Sequence, residues 1–202
     1  MYISKYILND SNIFVKNCLS DVDKMHKFVW SFFEDTSDFC VSREGLGILY
    51  RILYKGDKVF LVIQSAMKPN YPIQSNYGKE VYSVTDEVMR VKLQKMPTVN
   101  FNILINPTRR DAEGKRKYLS KVSDRYEWLK VQAEYNGFEI IRVDEVESDF
   151  ISGVKGKYNI TFGVSEMTGT LRITDFDKFY ACVCKGLGRE KAYGLGLFQF
   201  GV

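Results

Sequence analysis

Thr98-Val99-Asn100-Phe101-Asn102-Ile103-Leu104-Ile105 decides how this chain folds. Val99, Phe101, Ile103 and Ile105 fall on one side of an alternating pattern, as a strand with one face toward a core requires. A charged loop follows, and then a helix is expected from about Ser123 to Asn136, with Gly137 as its natural stop. Phe138–Val143 reads as the next strand. Asn159–Val164 and Gly169–Thr174 read as two more, joined by a turn. Asp175 is placed to cap a helix containing Phe176, Phe179, Tyr180 and Val183. Leu195–Phe200 closes the series as a strand.

The first half repeats this order more faintly. Met1–Leu8 is rich in Tyr and Ile and ends at the turn formers Asn9-Asp10-Ser11-Asn12. A helix follows, with Ser20 as its cap and Asp21 and Asp23 suited to its positive end. Val22, Met25, Val29, Trp30 and Phe33 form its apolar stripe. Gly47–Tyr54 and Lys58–Gln64 are strands linked through Lys55-Gly56-Asp57. Lys68–Lys79 reads as a polar loop, and Thr85–Leu93 suits either helix or strand. Strand, helix, strand, strand, helix or loop, strand is the order of a split βαβ, ferredoxin-like unit. The expected fold is therefore α+β, with two such domains in tandem, 1–92 and 97–202.

Composition narrows the setting. The 202 residues are 45% hydrophobic and 14% aromatic, enough for packed cores. No apolar run approaches the roughly 20 residues that cross a bilayer. The opening residues lack the zones of a signal peptide. A cytoplasmic location is the expectation. Cys18, Cys40, Cys182 and Cys184 form no CxxC pair, and with a single histidine a zinc site is not expected. They read as small thiols in a reducing compartment. The net charge of +4 is compatible with a polyanionic partner.

Four features bear on chemistry. His26, the sole histidine, lies four residues after Val22 and four before Trp30, within or beside the apolar arc. It is either half-buried against the sheet or a proton handler that titrates near neutral pH. Arg109, Arg110, Lys115, Arg116 and Lys117 crowd one loop. That loop is either a solvated surface or a cationic hairpin for nucleic-acid phosphates. Gly186, Gly188, Gly194 and Gly196 punctuate a segment carrying Arg189 and Lys191. A helix stop and a tight turn explain two of these glycines, and the others call for close approach by something. Asp144, Glu145, Glu147 and Asp149 read as a solvated acidic turn rather than a metal cluster.

Taken together, these pieces resemble the CRISPR repeat-RNA endoribonucleases of type I-E systems, the CasE family. The likeness runs through Met1-Tyr2-Ile3-Ser4-Lys5, the helix Asp21–Trp30, Leu61-Val62-Ile63-Gln64-Ser65, Asn106-Pro107-Thr108 and Gly114-Lys115-Arg116. It continues through Trp128-Leu129, Gly137-Phe138, Gly169-Thr170-Leu171-Arg172-Ile173-Thr174-Asp175 and the glycine-rich segment ending at Leu197. The resemblance implies two ferredoxin-like domains and cleavage of CRISPR precursor RNA at the foot of each repeat hairpin. It also implies that the product is retained and that the protein joins the other Cascade subunits. It makes His26 catalytic, sets the basic loop on the RNA stem and turns the glycine-rich segment toward RNA. No metal or cofactor is implied, because the RNA 2′-hydroxyl is the nucleophile. Asp23 departs from the family, which usually has tyrosine there. It could raise the pKa of His26, or be compensated by Tyr2, Tyr6, Lys24 or Lys27. A non-catalytic RNA-binding subunit is the alternative.

Overall fold

A computed structural model describes residues 1–33 and 46–201, so the position of Cys40 lies outside the described residues. The chain divides into two compact units, each drawn from several segments. The first comprises Met1–Met89, Ser152–Ile160 and Ala192–Gly194. The second comprises Arg90–Ile151, Thr161–Lys191 and Leu195–Val202.

In the first unit, β1 (Tyr2–Leu8), β2 (Leu49–Lys55), β3 (Lys58–Ser65) and β4 (Gly78–Thr85) form one sheet in the order β2-β3-β1-β4. The central strand β1 runs antiparallel to both neighbours, with Tyr2 opposite Ser65 and Thr85. Two helices, α1 (Ile13–Leu19) and α2 (Val22–Trp30), follow β1. Their Val15, Cys18, Met25, Phe28 and Val29 share a core with Tyr6, Leu8, Tyr50, Leu61 and Ile63 of the strands.

The sequence suggested one helix here, capped by Ser20. There are two. Asn12 caps α1 by accepting from the Phe14 and Val15 amides, and Ser20 closes it. Asp21 is the cap of α2. The ambiguous stretch resolves as the end of β4 followed by α3 (Asp86–Gln94).

The second unit contains β5 (Thr98–Ile105), the short pair β6 (Thr108–Arg110) and β7 (Arg116–Tyr118), and α4 (Val122–Tyr135). It also holds most of β8 (Phe138–Lys155) and β9 (Tyr158–Ile173), then α5 (Phe176–Lys185) and β10 (Phe198–Phe200). Its main sheet is ordered β10-β5-β9-β8. Both four-stranded sheets thus have the first strand between the third and fourth, the ferredoxin-like arrangement. Val99, Phe101, Ile103 and Ile105 are all buried, as their alternation predicts. Phe138, Phe179 and Phe198 pack mutually with ring centroids 5.6–6.2 Å apart, mostly edge to face.

Two expectations give way. Asn159–Val164 and Gly169–Ile173 belong to one continuous strand, β9, with no turn before Gly169. A Cβ there would stand 2.1 Å from the Arg142 carbonyl, so glycine lets the adjacent strand approach. The acidic residues 144–149 lie on β8, not in a turn. Glu145 is drawn inward, where Arg125 Nε and a terminal guanidinium nitrogen donate to its two oxygens at 2.6 and 2.5 Å. Ser165 donates to it as well. The same arginine also donates to the carbonyls of Leu119 and Ser120 at 2.8 and 2.7 Å. One guanidinium therefore ties α4, β8 and the chain leaving β7.

Candidate functional site

In the first unit, α2 begins with Asp21. One carboxylate oxygen accepts from the amides of Asp23 and Lys24 at 2.9 and 3.0 Å, and the other from Val154 at 3.1 Å. Burial acts to raise the Asp21 carboxyl, but these donors prevail and hold it below the usual range. Asp23 is only 5% exposed and accepts from Lys27 Nζ at 2.6 Å. That bond raises the Lys27 ammonium above its ordinary value. The charge at position 23 is thus answered by a cation on the next turn of the helix.

His26 is half-buried and its Nε2 atom is enclosed. Its ring meets Tyr193 edge-on, with centroids 6.0 Å apart and an interplanar angle of 65°. Tyr193 closes a short helical turn, Lys191–Tyr193, and is followed by Gly194 at φ +87°. A Cβ on Gly194 would lie 3.0 Å from the ring of Tyr50. Tyr50, on β2, is 3% exposed, and burial, then Tyr193, Asp23 and Cys18, push its hydroxyl well up. Of the other candidates, Tyr6 lies in the core, its ring 4.9 Å from that of Phe32. Burial first, then Glu80, pushes its hydroxyl up to about 12. Tyr2 is half-buried on β1 and Lys24 is exposed.

The second unit carries the basic residues. Arg109 pairs opposite Lys117 and Arg110 opposite Arg116, with the turn closed by the Lys115 amide on Asp111 at 2.8 Å. Directly opposed like charges destabilise a strand pair. The hairpin is held from its base instead. Tyr118 donates to the Val164 carbonyl at 2.9 Å and lies flat against Gly163, where a Cβ would be 2.4 Å from its ring.

Beside the hairpin is an open cleft of about 730 Å³. Arg109, Arg110, Arg116, Arg189 and Lys191 line it, and so do Lys178 and Lys185 of α5. Among the described residues no acidic side chain lines it, while Trp128 and Tyr135 of α4 form an aromatic wall. Lys115 and Lys117 lie outside this lining and pair with Glu113 and Asp111 at 3.1 and 3.0 Å. Lys191 donates to the Lys185 carbonyl at 2.8 Å, and burial pulls its ammonium below the usual range, with Lys185 adding to the effect.

The glycines are accounted for by the chain itself. Gly186 ends α5, and Gly188 lies against Trp128. Gly196 passes so close to Leu187 that a Cβ would be 2.5 Å from its carbonyl oxygen. Gly186 and Gly188 line the cleft together with Leu187, Arg189 and Lys191, whereas Gly194 and Gly196 are buried and lie outside its lining.

Sequence reasoning missed Tyr193, Tyr50, Lys178, Lys185, Trp128 and Tyr135. The i, i+7 spacing of Lys178 with Lys185, and of Trp128 with Tyr135, was the available signal for one face of each helix. Among the described residues no group of three or more His, Cys, Asp or Glu converges as a metal site, and no helix is long and apolar enough to cross a membrane.

The fold has solved counterparts. CRISPR endoribonuclease Cse3 bound to a 19-nucleotide RNA superposes with a TM-score of 0.84 at 19% identity, covering 100% of both chains. Thermus thermophilus Cse3, bound to an RNA representing a pre-cleavage complex, gives 0.83 at 20% identity, over 100% of this chain and 98% of that one. A chain of a CRISPR RNA-guided surveillance complex in a pre-nicking state gives 0.71 at 19% identity over 100% of both. No curated protein matches the sequence. A family model described as CRISPR associated protein matches residues 1–200, and the chain belongs to that family.

Proposed function

We propose that this protein is a metal-independent endoribonuclease that cuts CRISPR precursor RNA within each repeat hairpin, with His26 moving protons at the cut. The observation that carries the reading is the cleft lined by seven basic side chains and, among the described residues, no acidic one, beside a hairpin of opposed like charges. A polyanion relieves that repulsion, and A-form RNA presents phosphates where its base edges are hidden. Arg109, Arg110 and Arg116 would meet the stem, with Arg189, Lys191, Lys178 and Lys185 along the same wall. Trp128 and Tyr135 offer stacking faces to an unpaired base.

The chemistry needs little beyond this. The RNA 2′-hydroxyl attacks the adjacent phosphorus in line, so proximity is largely supplied by the substrate. The P–O5′ bond breaks, leaving a 2′,3′-cyclic phosphate and a 5′-hydroxyl. His26 takes the 2′-hydroxyl proton or protonates the leaving oxygen, and cationic side chains steady the pentacoordinate charge. The solved counterparts, an endoribonuclease bound to RNA and a chain of a surveillance complex, support a protein that keeps its RNA product and joins the other Cascade subunits.

The test is to incubate repeat RNA with the protein in chelator, beside a substrate carrying a 2′-deoxy sugar at the cut. Cleavage of the first and not the second is expected. Cleavage that appears only when Mg²⁺ replaces the chelator refutes metal independence, and tight binding with neither substrate cut in either condition makes the chain a non-catalytic RNA-binding subunit.

A further inference from the structure

Of everything the glycine-rich segment carries, a single short stretch, Ala192–Gly194, belongs to the first compact unit; Lys191 and Leu195 on either side belong to the second. That excursion delivers one large side chain, Tyr193, to His26. We infer that Tyr193 is a positioning residue, whose ring holds the imidazole of His26 in the orientation that the proton transfer requires. The inference rests on the reading of His26 as the proton handler.

Three observations support it. The two rings meet at 6.0 Å and 65°, within the range in which an aromatic edge is attracted to a face. The stretch is seated closely enough to need glycine next to it, because any side chain at 194 would press on Tyr50 at 3.0 Å and adopt a left-handed backbone. Tyr50 is itself immobilised in the core as a floor, and after burial it is Tyr193 that acts most strongly on its hydroxyl. A ring carried on a stretch packed against a rigid floor can restrict its neighbour, whereas a ring on a free loop cannot. A contact of this kind biases an orientation by about 2- to 13-fold. Misdirected acid–base groups lose rate rather than substrate affinity.

His26 is the sole histidine, so its Cε1–H resonance stands alone in a proton–carbon NMR spectrum. In Tyr193→Ala and Tyr193→Leu that resonance should move as the ring-current contribution of the tyrosine disappears. Single-turnover cleavage should fall about 3- to 10-fold, with the RNA dissociation constant unchanged. Tyr193→Phe, which keeps the ring, should restore both. In a His26→Ala background, Tyr193→Leu should cost nothing further. The inference is overturned if Phe is as slow as Leu, if the losses at 26 and 193 multiply, or if the leucine variant keeps the wild-type rate. Wild-type cleavage by His26→Ala would overturn the catalytic reading and the consequence drawn from it, while the NMR arm still reports separately whether the rings touch.

Discussion

Replacing Arg125 by methionine keeps much of the side-chain volume and removes every polar contact that the guanidinium makes. The arginine is 3% exposed, and its partner Glu145 is 9% exposed. Breaking a buried pair by deleting one partner costs about 3–5 kcal/mol, because the other charge stays enclosed. At an m-value of about 2 kcal/mol/M, that moves the urea midpoint down by about 2 M. The pH dependence is the sharper signature. In the native protein burial works to raise the Glu145 carboxyl, but the bonds from Arg125 and Ser165 outweigh it and hold the group below its ordinary 4.5. Its contribution is complete above that value and is lost as pH falls through the lowered one. Without Arg125, burial is left opposed by Ser165 alone, and the folded carboxyl rises above 4.5. The variant is then penalised most at neutral pH, and the penalty shrinks as pH falls toward 4. Unfolding in urea can be followed through Trp128 in a Trp30→Phe background, since the chain has two tryptophans. Arg125→Met/Glu145→Met, with no charge left buried, should return to within about 1 kcal/mol of the parent. A deficit below about 1 kcal/mol at pH 7, or one that does not change with pH, refutes the reasoning.

His26→Ala should slow single-turnover cleavage by about 10²- to 10⁴-fold while RNA binding, read by filter retention, stays near wild type. Removing Arg110 and Arg116 together should weaken binding and flatten the plot of log affinity against log salt by about 0.7–0.9 for each phosphate no longer neutralised. Gly194→Ala places a side chain at φ +87° against Tyr50 and should cost about 1–2 kcal/mol in a thermal melt, together with slower cleavage.

Sequence patterns carried the sheet of the second unit well, because β5 buries one face against a core and its alternation is complete. They failed where an element owes its form to other elements. The helix α1 is seven residues long, with Ile13 72% exposed and Phe14 41% exposed, so it has no clean apolar stripe. The hairpin of β8 and β9 extends past the core, and its exposed polar residues and glycines imitate loops. Glu145 looked like one acid among several; only the arginine twenty residues earlier, folded against it, distinguishes it. His26 was legible as a candidate because it is unique. Tyr193 was not, since what brings it to His26 is the packing of Gly194 on Tyr50, and neither glycine nor tyrosine advertises that contact. The loop glycines looked like a surface for a ligand; Gly186 and Gly188 line the basic cleft, while Trp128, Tyr50 and the Leu187 carbonyl closely approach Gly188, Gly194 and Gly196.

The weaving of the chain between its two units also sets an order in time. The unit holding His26 draws residues 152–160 and 192–194 from far along the polypeptide. At a synthesis rate of about 5–20 residues per second, His26 leaves the ribosome on the order of ten seconds before Tyr193 exists. During that interval the nascent chain has its histidine but not the ring beside it. On the proposed roles of His26 and Tyr193, a transcript made next to the ribosome meets no finished site on a partial chain, and a product truncated before residue 192 has the histidine without its neighbour.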